Sequence, residues 1–337
     1  MAFQKPRRTE LPLQYFLENE YQSLIEIFHW SANLAGSVYT DTTVVVPPEA
    51  AYSSVLVSRT HRLSQEFLLN VKRSSLDLEL PLGVSGYFGF PVRSSLALRQ
   101  LSEEEDQDKP EQIIKLPPYQ NVNASLGVTI RARRSLRRFT GKTLPLQQLS
   151  TILFYGNGVT GDMALVSEED DPQWPKYSLG APEVAHTRAA SSGGGLNPIY
   201  LYLVLQNVEQ LEDGIYIYLP FDHSLKKVMA FNEQKRKAHL ALGVSWGTNV
   251  EPAKVNVAIY YVYSVYENSR KYGDLGLIFA IVEAGEIAAN IHLVCTATKV
   301  GSSDMGGWEK VQTERFLGID GLSKQLVHVT VIGMPVD

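Results

Sequence analysis

Asn197-Pro198-Ile199-Tyr200-Leu201-Tyr202-Leu203-Val204-Leu205 is the stretch on which the fold turns. Asn-Pro punctuates the chain, and the residues after it are aromatic and β-branched, with Tyr200 and Tyr202 alternating along the run. They predict a strand over 199–205. Working outward, 214–219 reads as a second strand and 254–264, rich in Val and Tyr, as a third. Residues 326–334 close the chain as a further strand. Helices are expected over 146–155, opened by Pro145, over 277–299, and over 307–316. The helices do not interleave regularly with the strands. That pattern predicts an α+β fold rather than a doubly wound parallel sheet.

Upstream, Glu103-Glu104-Glu105-Asp106 is followed by Asp108, Lys109, Pro110 and Pro117-Pro118. An acidic run ending in prolines resists helix and sheet alike, so 102–118 reads as a linker. It divides a small mixed α/β region, 1–101, from a larger domain, 119–337. In the first region, helices are expected over 11–30 and 58–72 and a short strand over 42–47.

The chain has 337 residues, 20% of them charged, and a net charge of −5, which argues against a general nucleic-acid binder. Its one cysteine, Cys295, excludes an intrachain disulfide and fits a reducing, cytoplasmic compartment. Lys5, Arg7 and Arg8 are not followed by an apolar core, so no secretory signal is read there. Residues 277–297 are interrupted by Glu283, Glu286, Asn290 and His292, which suit a buried helix rather than a membrane span. The seven histidines show no metal-ligand spacing, so no metal site is expected.

Basic character is local. Arg133-Arg134-Ser135-Leu136-Arg137 gathers three guanidinium groups and a hydroxyl in five residues, a combination suited to a phosphate. Ser191-Ser192-Gly193-Gly194-Gly195 lets backbone amides approach a ligand, and Arg188 lies just upstream. Gly301-Ser302-Ser303-Asp304-Met305-Gly306-Gly307 reads equally as a ligand-facing glycine turn or as a connection between two helices. Lys271 and Tyr272 are adjacent groups capable of proton transfer. Gly156-Asn157-Gly158-Val159-Thr160-Gly161 matches a dinucleotide fingerprint in letters. A helix precedes it and an acidic, loop-like stretch follows, so it reads as a helix-ending turn.

In this order the segments resemble the nitroreductase superfamily, and more closely its SagB/McbC/ThcOx branch of flavin-dependent azoline dehydrogenases. Arg133–Arg137 is similar to its R-R-S-x-R motif, and 149–158 to the helix that follows. Residues 188–198 resemble R-x-x-P-S-A-G-x-L-Y-P. Residues 270–276 with Glu283-Ala284-Gly285 resemble R-K-Y-G-x-R-G and E-A-G. Residues 301–308 resemble G-S-C-P-I-G-G-F, and Leu317-Gly318-Ile319-Asp320-Gly321 resembles L-G-L-D-G. Departures are Ser191-Ser192 for Pro-Ser, Asn197 for Tyr, Leu275 for Arg, Glu286 and Ala289 for His and Gln, and Asp304 for Pro.

The resemblance implies a nitroreductase-like fold, a central antiparallel or mixed sheet flanked by helices, binding FMN in a homodimer. Arg133, Arg134, Ser135 and Arg137 would hold its phosphate and ribityl chain. Ser192 and Gly194 would line it, and Met305, Gly306 and Gly307 would present backbone to its edge. Lys271 and Tyr272 would be the catalytic pair. The implied reaction oxidises thiazoline or oxazoline rings in a modified peptide, with a cyclodehydratase as partner. Two other readings stand beside it: an NAD(P)H-dependent nitro or quinone reductase, and a non-catalytic leader-peptide-binding or scaffold protein.

Overall fold

The computed structural model describes Phe67 and residues 112–164, 184–242 and 250–336. Phe67 is helical, within the helix expected over 58–72. The rest of the expected N-terminal elements lies outside the described residues. The elements below belong to the larger of two compact units, Ser75–Val244 with Val250–Asp337.

The strands are β1 (Ile113–Lys115), β4 (Ile199–Leu205), β5 (Gly214–Leu219), β6 (Ser224–Ala230), β7 (Val257–Ser264), β8 (Gly301–Met305) and β9 (Lys324–Gly333), with a separate pair, β2 (Val159–Ala164) and β3 (Val184–Arg188). The helices are α1 (Leu126–Ala132), α2 (Leu146–Asn157), α3 (Glu233–Ala241), α4 (Val265–Tyr272), α5 (Leu275–Ala297) and α6 (Lys310–Leu317). Seven strands form one sheet in the order β1-β6-β5-β4-β7-β9-β8. Each neighbouring pair is antiparallel.

The opening stretch lies at the centre. Leu201 faces Tyr261 across the β4–β7 ladder, and Tyr202 faces Tyr260. Successive side chains point to opposite faces of a strand, and here both faces are covered. Leu201, Leu203, Ile259 and Tyr261 pack with Leu149, Ile152 and Leu153 of α2 and Ile287 and Ile291 of α5. Tyr202, Val204, Ala258, Tyr260 and Val262 form a second core with Met305 and Leu317, joined by Phe231 and Phe316. An antiparallel sheet buried on both sides explains why β4 and β7 are apolar almost without interruption. Each fully buried Leu or Ile contributes about 1.5–3 kcal/mol, so this double layer supplies much of the rigidity beneath the candidate site.

Helix α5 runs through the first core, with Ala280, Ala284, Ile287 and Ile291 buried. It crosses α2 closely. A Cβ added at Gly156 would come within 2.7 Å of Ile291 Cγ1, so Gly156 permits the approach. Among the described residues α5 is the one helix long and apolar enough to cross a membrane by length and composition. In the fold it is a core helix whose buried face carries Glu283 and His292.

The structure corrects several sequence expectations. Residues 301–305 are not a turn between helices but the edge strand β8, paired with β9 from Gly301↔Gly333 to Met305↔Val329. Short polar residues in the strand mask its alternation. Residues 113–115, within the stretch read as linker, pair with β6. The acidic loop expected from Asp162 begins as strand, because Asp162-Met163-Ala164 pairs with β3. The third strand starts at Val257, since Pro252–Lys254 forms a short 3-10 turn. Strands β3 and β6 and helices α1, α3 and α4 have no counterpart among the elements expected from the sequence. After α2, Gly158 adopts an extended conformation rather than a left-handed cap. A Cβ there would lie 2.6 Å from the Phe154 carbonyl oxygen, and the chain passes directly into β2. The helix ends within Gly156–Gly161 as expected, but it gives way to a strand instead of a glycine turn.

Candidate functional site

Helix α5 organises the site. Phe279, Glu283, Glu286 and Asn290 recur at spacings of four, three and four, which places them on one helical face. The connection from β3 to β4 lies along that face. Asn290 Nδ2 donates to the Ala189 carbonyl at 3.0 Å. Glu286 Oε2 accepts from Ser191 N–H at 2.9 Å and from its hydroxyl at 2.6 Å. Glu283 Oε1 accepts from Ile199 N–H at 3.3 Å. Gly193 sits against Phe279, with a built Cβ 3.2 Å from the Phe279 Cβ.

Within the connection, Ser192 Oγ accepts from Asn197 N–H at 2.8 Å, and Asn197 Nδ2 donates to the Gly195 carbonyl at 2.8 Å. Gly194, Gly195 and Asn197 have positive φ values of 65°, 68° and 48°. Glycine adopts that region without steric cost, and asparagine tolerates it better than most residues.

Two predicted groups meet this connection. A Cβ at Gly194 would fall 2.5 Å from Tyr272 Oη and 2.6 Å from Lys271 Nζ. The polar ends of both side chains therefore converge on one glycine Cα. Lys271 is buried, its ammonium 5.1 Å from the Tyr272 ring centre, and Tyr272 packs edge-on against Phe279 at 4.9 Å. Lys271 has no ion-pair partner among the described residues. The α4–α5 junction that carries the pair is fixed by buried Asn268. Its Oδ1 accepts from Tyr263 Oη at 2.8 Å, and its Nδ2 donates to the Gly276 carbonyl at 2.7 Å.

Beneath the connection, the half-buried Arg188 and the buried Glu283 interact electrostatically. Burial raises the Glu283 pKa to about 7, although Ser192, Arg188 and the Ile199 N–H each favour its ionised form. Burial likewise lowers the Arg188 pKa, opposed first by Glu283. Glu283 Oε2 and Arg188 Nε have no hydrogen-bond partner among the described residues. The Arg188 guanidinium lies 5.0 Å from the Phe221 ring centre.

The arginine segment follows α1, which packs on α5. Arg134 Nη1 donates to the Arg131 and Arg133 carbonyls at 2.8 and 2.7 Å, so this guanidinium caps α1 instead of standing free. Arg133 is half-buried, and Ser135 and Arg137 are exposed. Leu136 N–H donates to the Ser302 carbonyl at 2.9 Å, which ties the segment to β8. At the far end of β8, Met305 is buried in the second core, Gly306 is exposed and Gly307 is half-buried. A Cβ on Gly306 would meet nothing within 4 Å.

Lys271, Tyr272, Gly194 and Ser192 are thus brought together, while Arg133–Arg137 and Met305–Gly307 share the β8 edge. No hydrogen bond or ion pair joins the two groups directly among the described residues; α5 is their common support. Sequence reasoning gave no role to Glu283 or Glu286, although their spacing with Phe279 and Asn290 was a signal. It also missed the partnership of His292, Asp304 and His328, which no linear spacing reveals.

The family profile described as "Nitroreductase family" matches residues 130–334. The chain is 25% identical over 206 residues to "Putative nitroreductase MJ1384" of Methanocaldococcus jannaschii, spanning 61% of this chain and 89% of that protein. Among solved structures, one from Ralstonia eutropha titled a putative nitroreductase aligns with a TM-score of 0.50 and 22% identity, covering 68% of this chain and 92% of that one. A chain from the E. coli microcin synthetase McbBCD complex with truncated pro-MccB17 bound aligns over 97% of this chain and 99% of its own length, with 17% identity and a TM-score of 0.48.

Proposed function

Because the chain belongs to the nitroreductase family of oxidoreductases, we propose that it is an FMN-dependent dehydrogenase that oxidises azoline rings in a modified peptide. The observation that carries this reading is the convergence of Lys271 Nζ and Tyr272 Oη on Gly194. The residues present fit FMN. Gly306 leaves backbone uncovered by side chains, Gly194 holds the polar ends of Lys271 and Tyr272 against a bare Cα, and Arg133 and Arg137 are guanidinium groups without an ion-pair partner among the described residues. Arg133, Ser135 and Arg137 would hold the phosphate and ribityl chain. Ser192 and Gly194 would line one side, and Met305, Gly306 and Gly307 would offer backbone on another. Arg134 would join Arg133 and Arg137 through its remaining N–H groups, its Nη1 being engaged at the end of α1. When bound, FMN supplies the two-electron redox chemistry.

Conversion of an azoline to an azole removes two electrons and two hydrogens, and the aromatic product favours the reaction. The protein's task is to take the ring proton at a defined atom. Either neutral Lys271 Nζ or ionised Tyr272 Oη serves as acceptor. The Phe279 contact and the buried Lys271 stem restrict both groups. Gly194→Ala is expected to lower turnover by roughly tenfold to a hundredfold, because the new methyl displaces both polar ends from their position. Turnover is measured beside thermal melting, because alanine at the positive φ of Gly194 also costs about 1–2 kcal/mol; assayed well below the lowered melting temperature, the loss of turnover should remain.

The reading further includes a homodimer, a cyclodehydratase partner and a cytoplasmic location. The deciding experiment is the visible spectrum of the purified protein, followed by an assay on an azoline peptide. A yellow protein that releases FMN on denaturation and forms azole is expected. A colourless protein that cannot be reconstituted with FMN would sink the proposal and favour a scaffold role. The name of the archaeal relative favours a second reading, nitro-group reduction. Rapid bleaching by NADPH, followed by nitroarene turnover without azole formation, would select it.

A further inference from the structure

A pocket of about 320 Å³ opens beside α5, away from Lys271 and Tyr272. Ile281, Ala284, Gly285, Ala288, Ala289 and Val327 give it an apolar wall, and His292, Asp304 and His328 give it one polar corner. Its volume lies at the lower end for small-molecule sites, and such sites combine apolar walls with a few convergent polar groups.

The polar corner has a fixed internal logic. Asp304 Oδ1 lies 2.9 Å from His292 Nε2 and 3.0 Å from His328 Nε2, and it accepts from Thr330 Oγ1 at 2.7 Å. Both imidazoles therefore turn an Nε2–H to the carboxylate. His292 Nδ1 lies 2.8 Å from Ser302 Oγ and, with Nε2 protonated, accepts a hydrogen bond from that hydroxyl. Thr330 Oγ1 is in turn within 3.1 Å of Tyr261 Oη. Neither Asp304 Oδ2 nor His328 Nδ1 has a hydrogen-bond partner among the described residues. With Nε2 protonated, a neutral His328 presents Nδ1 as an acceptor. Burial alone would raise the Asp304 pKa, but the hydrogen bonds from His292 and His328 outweigh it and hold the carboxyl well below the usual range. No lysine or arginine pairs with it among the described residues. The corner thus holds a fixed negative charge and two free acceptors, with no permanent cation to satisfy them. The Asp304 side chain is 45% exposed, so its Oδ2 is reachable from solvent, and a charged N–H donor makes the stronger kind of hydrogen bond to such a carboxylate.

We propose that this pocket is a binding site for an alkylammonium or guanidinium group, with Asp304 as the charge partner, His328 as a second acceptor and the Ala284–Ala289 face of α5 holding the apolar stem. The chemistry fits both a free amine and a lysine or arginine side chain of a bound peptide. It stands independently of the flavin reading.

The test titrates the intact protein with n-butylammonium at mildly alkaline pH, following the His328 imidazole resonance. Saturable shifts are expected, and butyrate and butanol should not reproduce them. Asp304→Asn should weaken binding about tenfold or more, as expected for loss of one charge-assisted hydrogen bond. Ala289→Leu, at an exposed helix position that lines the pocket, should block binding without touching the polar corner. A terminally blocked Gly-Lys-Gly peptide, run in parallel, separates the two sources: a tighter response assigns a peptide side chain, and an equal one a free amine. Equal shifts with butyrate or butanol, or unchanged binding in both variants, would overturn the proposal. So would a response that disappears as protein concentration rises while the sedimentation coefficient increases, because the pocket would then be a contact between copies.

Discussion

Lys271→Met is expected to lower azoline oxidation by about a hundredfold to ten-thousandfold, the range for loss of a positioned proton-transfer group. FMN content should stay unchanged. The methionine replaces a buried stem of similar length, so the packing against Gly194 and Tyr272 survives while the reactive nitrogen is lost. Tyr272→Phe removes only the hydroxyl, keeping the 4.9 Å edge contact with Phe279. Its effect distinguishes the two roles. If Tyr272 is the base, the phenylalanine variant falls as far as the methionine variant. If Lys271 is the base and the tyrosine orients it, the loss is smaller. The double variant should then be little worse than the more damaging single one, because groups acting as a unit are not additive. Single-turnover kinetics with the flavin already bound provides the measurement. Full activity in both single variants would remove the pair from the mechanism.

The fold and the site were legible to different degrees in the sequence, for physical reasons. Strands β4 and β7 announced themselves because a central strand buried on both faces must be apolar throughout, and the sequence of 199–205 has no other use. Edge strands β1 and β8 did not. Ile113–Lys115 sits among acidic and proline residues, and Gly301-Ser302-Ser303-Asp304 has the composition of a turn. Their pairing is decided by the neighbouring strand, which local composition does not encode. Helix α1 was hidden similarly, because Thr129 is its only buried residue and no apolar stripe forms. At the site, motif order brought Lys271, Tyr272 and Gly194 to attention, but not their meeting point. That contact joins residues more than seventy positions apart and depends on a positive φ at Gly194. Arg134 carries a contact that its place in the arginine cluster did not reveal: its Nη1 donates to the Arg131 and Arg133 carbonyls at the end of α1.

Glu283→Gln should flatten the pH dependence of stability, and the sign follows from the direction of the shift. Burial raises the Glu283 carboxyl from its ordinary 4.5 to about 7, against the favourable pull of Ser192 and Arg188. Between those values the folded protein holds a proton that the unfolded chain has released. Stability therefore falls as pH rises through this window, and the penalty is fully present above it. The gap corresponds to roughly 3 kcal/mol, an upper figure because the folded site relaxes when the group ionises. Glutamine keeps the shape and the acceptor for Ile199 N–H, and it cannot ionise. Relative to the parent, the variant should become more stable as pH increases from about 4.5 to about 7, by up to about 3 kcal/mol. Urea denaturation at closely spaced pH values would read this directly. A parallel slope in parent and variant would show that Glu283 is already ionised at acidic pH. The attraction to Arg188 would then have to be stronger than the desolvation cost, and the connection over Gly194 would rest on a carboxylate instead of a neutral carboxyl.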